Sequence, residues 1–204
     1  MRLSFPNRLR PLARAIRRWP ERRLHPLRRR RARRRLSEAA APDSVLFICL
    51  GNICRSPFAA ELARSAFQAQ GLDAISVSSA GFIGPGRPTP DFGLQAAWAQ
   101  GVDLSRHRSS LIRPEMVREG AQWIVIMDSN HGRRLVRDFG AATEQLLHLG
   151  DLDPEPIERR TIPDPFDQAP QVFEACYARI SRCLDTFLEA TRGWGRTPGS
   201  RDQA

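Results

Sequence analysis

The sequence has no lysine; all 32 of its basic residues are arginine. So uniform an absence reflects genome composition rather than function. Long apolar runs are missing too. A membrane-spanning helix needs ~20 consecutive apolar residues, and the longest apolar stretch, Val45 to Leu50, is strand-sized. No transmembrane helix is expected. Cysteine is scarce, with four in 204 residues and no C-x2-C pair. That excludes a disulfide scaffold and a zinc-ribbon pattern, and makes a reducing, cytoplasmic compartment the expectation. There is no uninterrupted apolar segment of the kind a Sec signal needs, no internal repeat and no heptad. What remains, at 41% hydrophobic and 26% charged, suits one globular domain with an appendage.

The net charge of +10 conceals a division. Residues 1–36 hold 15 Arg against one acid, Glu21, a net +14, whereas residues 37–204 hold 17 Arg against 21 acids, a net −4. The folded part is acidic, so the charge gives no support to a global nucleic-acid binder. Within the basic segment Leu9, Leu12, Ile16 and Trp19 recur at helical spacing among arginines. A basic amphipathic helix on an anionic membrane would read this way. So would a phosphate-contacting arm on nucleic acid or an organelle transit peptide, although serine is sparse. Pro6, Pro11, Pro20 and Pro26 oppose a long helix, and the expectation is a disordered extension over residues 1–42, with Ala39 to Asp43 as linker. A domain over 43–192 and a flexible tail over 193–204 follow.

Inside the domain, continuous apolar runs at Val45–Ile48 and Trp123–Met127 read as strands buried on both faces. Ile75–Ser79 and Leu146–Leu149 are further strands. Helices are expected from Pro57 to about Gln70, Phe92 to Gln100, 129–138 and Val172 to Ala190. The last carries Phe173, Cys176, Ile180, Cys183, Leu184 and Phe187 on one side, which makes both cysteines core residues. Strands alternating with helices predict an α/β single domain, a four-stranded parallel sheet of the doubly wound, flavodoxin-like kind flanked by helices. Ligands in such sheets bind at the carboxyl ends of strands, and the first strand ends at Cys49.

The segment Cys49-Leu50-Gly51-Asn52-Ile53-Cys54-Arg55-Ser56-Pro57 carries the chemistry. A strand delivers a thiol to the sheet edge, and a helix opens directly after the loop. Gly51 and Asn52 are residues that permit a left-handed turn. The amides of Leu50 through Ser56 can then point inward as an anion nest, reinforced by the helix dipole. Arg55 can hold two oxygens bidentately. The same field favours a thiolate at Cys49, which the Ser56 hydroxyl is placed to hydrogen-bond, and a thiolate is a nucleophile.

With these residues in view, the chain resembles the low molecular weight protein tyrosine phosphatases over about residues 43–190. Further segments carry the resemblance: Val77-Ser78-Ser79-Ala80-Gly81, with Ser79 matching a serine that supports the phosphate loop; Leu104 to Ser109, with His107 at a supporting position; Ile126 to Asn130, like the Met-Asp-x-x-Asn turn; and Ile162-Pro163-Asp164-Pro165-Phe166, like the loop that carries a general acid. The resemblance implies hydrolysis of phosphotyrosine through a phosphocysteine. Cys49 would be the nucleophile, Arg55 the phosphate ligand, Asp164 the general acid and base, and Phe166 a cleft wall. It implies no cofactor and no metal, and His25, His107, His131 and His148 show no ligand spacing. The partner is a phosphotyrosine protein, a tyrosine autokinase being one candidate.

Several positions depart from the family pattern. Ser110 stands where an arginine is frequent, Phe82 or Ile83 where an aromatic wall is common, Phe166 where tyrosine is usual, and Asp167 where a second aromatic or Gly is often found. The one tyrosine, Tyr177, lies on the last helix. Cys54, five residues after Cys49, is a candidate for a reversible disulfide with it or a small packed residue. Protein-arginine phosphatase is the main rival; its loop carries Thr where this chain has Ile53, while its acid loop carries Phe like Phe166. Thioredoxin-coupled arsenate reductase and an idle anion-binding module are weaker rivals.

Overall fold

The computed structural model describes residues 10–120 and 123–195. Four strands, β1 (Ser44–Cys49), β2 (Ser76–Gly81), β3 (Trp123–Ile126) and β4 (Leu146–His148), form one parallel sheet in the order β2-β1-β3-β4. The helices are α1 (Arg10–Glu38), α2 (Arg55–Ala69), α3 (Asp91–Trp98), α4 (Ser129–Phe139) and α5 (Pro170–Ala190). This is the doubly wound, flavodoxin-like α/β fold expected of the alternating pattern, and element ends differ from the expected ones by a few residues. β1 is central, in register from Val45 opposite Val77 and Trp123.

The pleat divides the core in two. Val45, Phe47, Val125 and Leu147 face one layer with Phe58, Ala59 and Phe67 of α2 and Phe173, Ile180 and Phe187 of α5. Leu46, Ile48, Ile124 and Ile126 face the other with Leu135 of α4, Phe82 and Val117. Both faces of the central strands are therefore dry, which is why these strands read as unbroken apolar runs. Cys176 and Cys183 are buried in the first layer.

The N-terminal segment departs from its expectation. Residues 10–38, expected as part of a disordered extension, are one 29-residue helix; residues 1–9 lie outside the described residues. Prolines 20 and 26 within it each tax the helix by up to ~3 kcal/mol. Arginine is a good helix former, and the helix is docked rather than free. Ala32 and Leu36 enter the first core layer, and complete burial of a leucine such as Leu36 is worth roughly 1.5–3 kcal/mol. His25 Nε2 donates to the Asp153 carbonyl at 3.0 Å. Arg35 Nη1 donates to the Leu146 carbonyl at 3.1 Å, and its guanidinium lies 5.0 Å from the Trp123 ring centre. At the other terminus Trp194, expected in a flexible tail, is buried and donates its indole N–H to the Leu36 carbonyl at 3.2 Å. Residues 196–204 lie outside the described residues. Among the described residues no helix is long and apolar enough to cross a membrane.

Candidate active site

β1 ends by burying Cys49 at the carboxyl edge of the sheet. Its sulfur accepts from the Asn52 amide at 3.2 Å and from the Ser56 hydroxyl at 3.1 Å. Two donors thus converge on one sulfur. Cys176 is pushed up to about 12 by burial first of all, and burial likewise raises the Cys54 and Cys183 thiols.

Asn52 is the hub of the loop. It adopts the left-handed region at φ 51°, so the turn falls on Asn52 rather than on Gly51. Its side-chain Nδ2 donates to the hydroxyls of Ser56 at 2.9 Å and Ser79 at 2.8 Å. Its side-chain oxygen accepts from the Ser110 amide at 2.8 Å, and its carbonyl accepts from His107 Nε2 at 2.7 Å. Ser79 and His107 therefore meet on the residue that shapes the loop. Ser110, in place of an arginine, supports it through the main chain. Gly81 allows β2 to come this close, because a Cβ there would sit 2.7 Å from the Asn52 nitrogen.

Arg55 begins α2, two residues before Pro57. Its guanidinium is buried, donates to the Ile162 carbonyl at 3.2 Å, and is ion-paired with Asp164. Arg55 Nε is a buried donor with no partner. The segment leading to Asp164 is itself clamped. Arg160 pairs with Asp151 at 2.6 Å, and Arg179 pairs with Asp153 at 2.9 Å while donating to the Thr161 carbonyl at 3.0 Å. Behind the loop the Tyr177 hydroxyl donates to the Cys54 carbonyl at 3.2 Å, with its ring stacked on Phe58.

Cys49, Leu50, Gly51, Ile53, Cys54, Arg55, Asp164 and Phe166 line one cavity of about 60 Å³. All are residues the sequence proposes for the site. Ile53 lines it while largely buried. The cavity is small, polar at its base and apolar at its rim, where Phe166 and Ile83 are each 46% exposed. Of the two wall candidates after Gly81, Ile83 serves; Phe82 is buried against His131 and Phe139. One lining residue the sequence reading misses is Arg87. Its guanidinium donates to the carbonyls of Gly84 at 3.1 Å and Gly51 at 3.3 Å, and a Cβ on Gly51 would meet it at 2.7 Å. A side chain at position 51 would displace the end of the Arg87 side chain. Nothing periodic marks Arg87, which lies in an irregular loop.

The model of the family described as "Low molecular weight phosphotyrosine protein phosphatase" matches residues 44–193. The chain belongs to this family. The Ralstonia solanacearum protein named "Probable low molecular weight protein-tyrosine-phosphatase EpsP" is 31% identical over 154 residues, which cover 74% of this chain and 98% of that one. A low molecular weight protein tyrosine phosphatase from T. tengcongensis has a solved structure with TM-score 0.65 and 26% identity, covering 72% of this chain and 99% of its own. The YwlE arginine phosphatase from Geobacillus stearothermophilus is similar at TM-score 0.62 and 28% identity, covering 72% and 92%. The relatives named tyrosine phosphatases are phosphoric monoester hydrolases, and both tyrosine and arginine phosphatases occur among the relatives.

Proposed function

We propose that the protein hydrolyses phosphotyrosine in protein substrates, with Cys49 as nucleophile, Arg55 as phosphate ligand and Asp164 as general acid and base. The observation that carries this is the convergence of these three side chains on one small cavity at the carboxyl edge of the sheet. The loop amides of Leu50 to Ser56 and the Arg55 guanidinium take the phosphoryl oxygens, stabilising the charge on them as the reaction proceeds. A dianionic phosphoryl group outcompetes a single carboxylate for Arg55, which releases Asp164 toward the leaving oxygen. Cys49 sulfur then bonds to phosphorus as the bond to the tyrosyl oxygen breaks, and Asp164 gives that oxygen its proton. In the second half the Asp164 carboxylate takes a proton from water as the water oxygen attacks phosphorus. The sulfur–phosphorus bond breaks, and phosphate and the Cys49 thiolate are regenerated, with the Ser56 hydroxyl steadying the departing thiolate. Ser79 and His107 hold the loop in shape through Asn52 and touch no reacting atom.

Phe166 and Ile83 flank the mouth and suit a phenyl ring. Ile53 offers that ring dispersion contact and offers a guanidinium no acceptor. Apolar discrimination of this kind is worth roughly 10–200-fold in kcat/KM. Matched phosphotyrosine, phosphoarginine and phosphoserine peptides, compared by kcat/KM, test the reading, and phosphotyrosine is expected to lead. A ratio in favour of phosphoarginine removes the tyrosine assignment and leaves the cysteine mechanism intact. A tyrosine autokinase is a fitting substrate.

A further inference from the structure

The phosphatase chemistry makes no use of α1. Its axis runs against the strands. Near its C-terminal end Arg35 meets Trp123 and Leu146, the first residues of β3 and β4. Farther toward its N-terminus His25 meets Asp153, and Glu21 accepts from the Arg160 amide, both beyond the end of β4. The helix thus climbs toward the edge that carries the Cys49 loop, and Arg10–Pro20 continue it by three turns past Glu21.

The outward side of the docked half is built for an anionic, partly apolar surface. Arg22, Arg30, Arg31, Arg33 and Arg34 are exposed. Arg30 and Arg34, and Arg31 and Arg35, are like-charge pairs one turn apart, an arrangement that an isolated helix disfavours and that an opposing layer of negative charge relieves. Arg28, Arg31, Arg35 and Arg160 converge on a cavity of about 410 Å³. Within it Arg28 and Arg160 have carboxylate partners in Glu21 and Asp151, whereas Arg35 is held by neutral carbonyls. Leu27 is 64% exposed and Leu24 42% exposed in the midst of this charge.

We propose that α1 is an interfacial helix that docks the protein on an anionic lipid surface. The arginines supply the electrostatic attraction, about fivefold in affinity for each one brought to the surface. Leu24 and Leu27 enter the headgroup boundary. Leucines at the contact favour lipid over a nucleic-acid backbone, whose phosphates gain nothing from them. The docked half is fixed to the domain by Leu36, Ala32 and His25, so the bound helix carries the enzyme with it.

The test is co-sedimentation of the full chain with vesicles of phosphatidylcholine alone and of phosphatidylcholine mixed with phosphatidylglycerol. Binding is expected only to the mixed vesicles, and it should fall as salt is raised. Replacing Arg30, Arg31 and Arg34 together with Glu should reduce binding by a hundredfold or more, on the order of fivefold per charge removed. Leu24→Gln with Leu27→Gln should weaken it at unchanged net charge. All five side chains are exposed, and circular dichroism with turnover of p-nitrophenyl phosphate in solution verifies that the variants are folded. Absence of binding to the mixed vesicles overturns the proposal. So does binding that the leucine variant leaves unchanged while duplex DNA displaces the protein from the vesicles, which assigns the helix to nucleic acid.

Discussion

Positive charge is concentrated in two places in this molecule, under opposite physical conditions. At the phosphate loop one guanidinium, that of Arg55, is 4% exposed and fixed by the Ile162 carbonyl and Asp164. On α1 nine arginines fall between residues 22 and 35, most of them facing solvent. A charge out of water acts strongly and over a short, oriented range, whereas solvated charges are screened beyond roughly 8–10 Å at ordinary ionic strength. One dehydrated arginine can therefore support a chemical step, while the solvated ones can only steer or adhere. The helix is held on the domain by buried Leu36 and Ala32, with His25 and Arg35 adding main-chain hydrogen bonds, and owes little to its solvent-exposed arginines.

Removing the partners of the buried charge should have the largest effects. Cys49→Ser is expected to abolish turnover while leaving binding of phosphate or vanadate, because Arg55 and the loop amides remain. Turnover near the wild-type level in the purified variant removes Cys49 from the mechanism. Asp164→Asn should lower kcat by ~10²–10⁴ for phosphotyrosine, and by less for activated aryl phosphates whose leaving groups need little protonation. Equal losses for both substrate classes argue against proton transfer from Asp164.

The two regions also differ in how far the sequence reveals them. The loop is legible because its chemistry is local. Cys49, Asn52, Arg55 and Ser56 lie within eight residues that begin at the end of a strand, and their types and order state what the backbone must do. Ser79, His107, Asp164 and Phe166 are found through the family resemblance, since nothing in their local spacing places them at the loop. Arg87 and Tyr177 are missed because their roles arise only from tertiary approach, a guanidinium laid over Gly51 and a hydroxyl reaching Cys54 across 123 residues. The helix fails for the same reason. Prolines and charge argue locally against it, and what settles it is burial of Leu36 and Ala32 against α5 and the segment after β4. Trp194 is invisible to a reading of the tail by composition, since its partner is the Leu36 carbonyl.

If apolar anchoring rather than charge holds α1, Leu36→Ala should destabilise the fold by about 2–5 kcal/mol, measured by urea denaturation. Neutralising the exposed Arg30 should change stability by less than about 0.5 kcal/mol. A chain lacking residues 1–42 should lose stability like Leu36→Ala or more, whereas one lacking residues 1–20 keeps Glu21, His25, Ala32 and Leu36 and should match the full chain. Equal stability of all three chains means that the docked half contributes nothing to the fold.

The smallest effect tests how far the buried charge reaches. His131, at the start of α4, packs against Phe82 at 5.6 Å between ring centres. Burial first, and then the positive charge of Arg55, lowers its pKa from 6.5 to about 4, with Asp128 and Asp164 opposing and Arg134 adding to the decrease. The folded protein thus keeps this imidazole neutral where the unfolded chain protonates it, so the unfolded state binds more protons between pH about 4 and 6.5. Stability from this group is complete above about pH 6.5 and declines as pH falls toward about 4, by on the order of 1–3 kcal/mol. His148, lowered to about 3 by burial and Arg160, contributes a slope of the same sign. His131→Gln should remove part of the slope and leave the His148 part, as read by urea midpoints across that pH range. Because the cause is burial and a dehydrated guanidinium, added salt should leave the His131 titration low while it weakens whatever α1 binds. An imidazole that titrates near 6.5 by NMR, or one whose pKa rises with salt to the ordinary value, shows that the charge at Arg55 is screened like those on the helix.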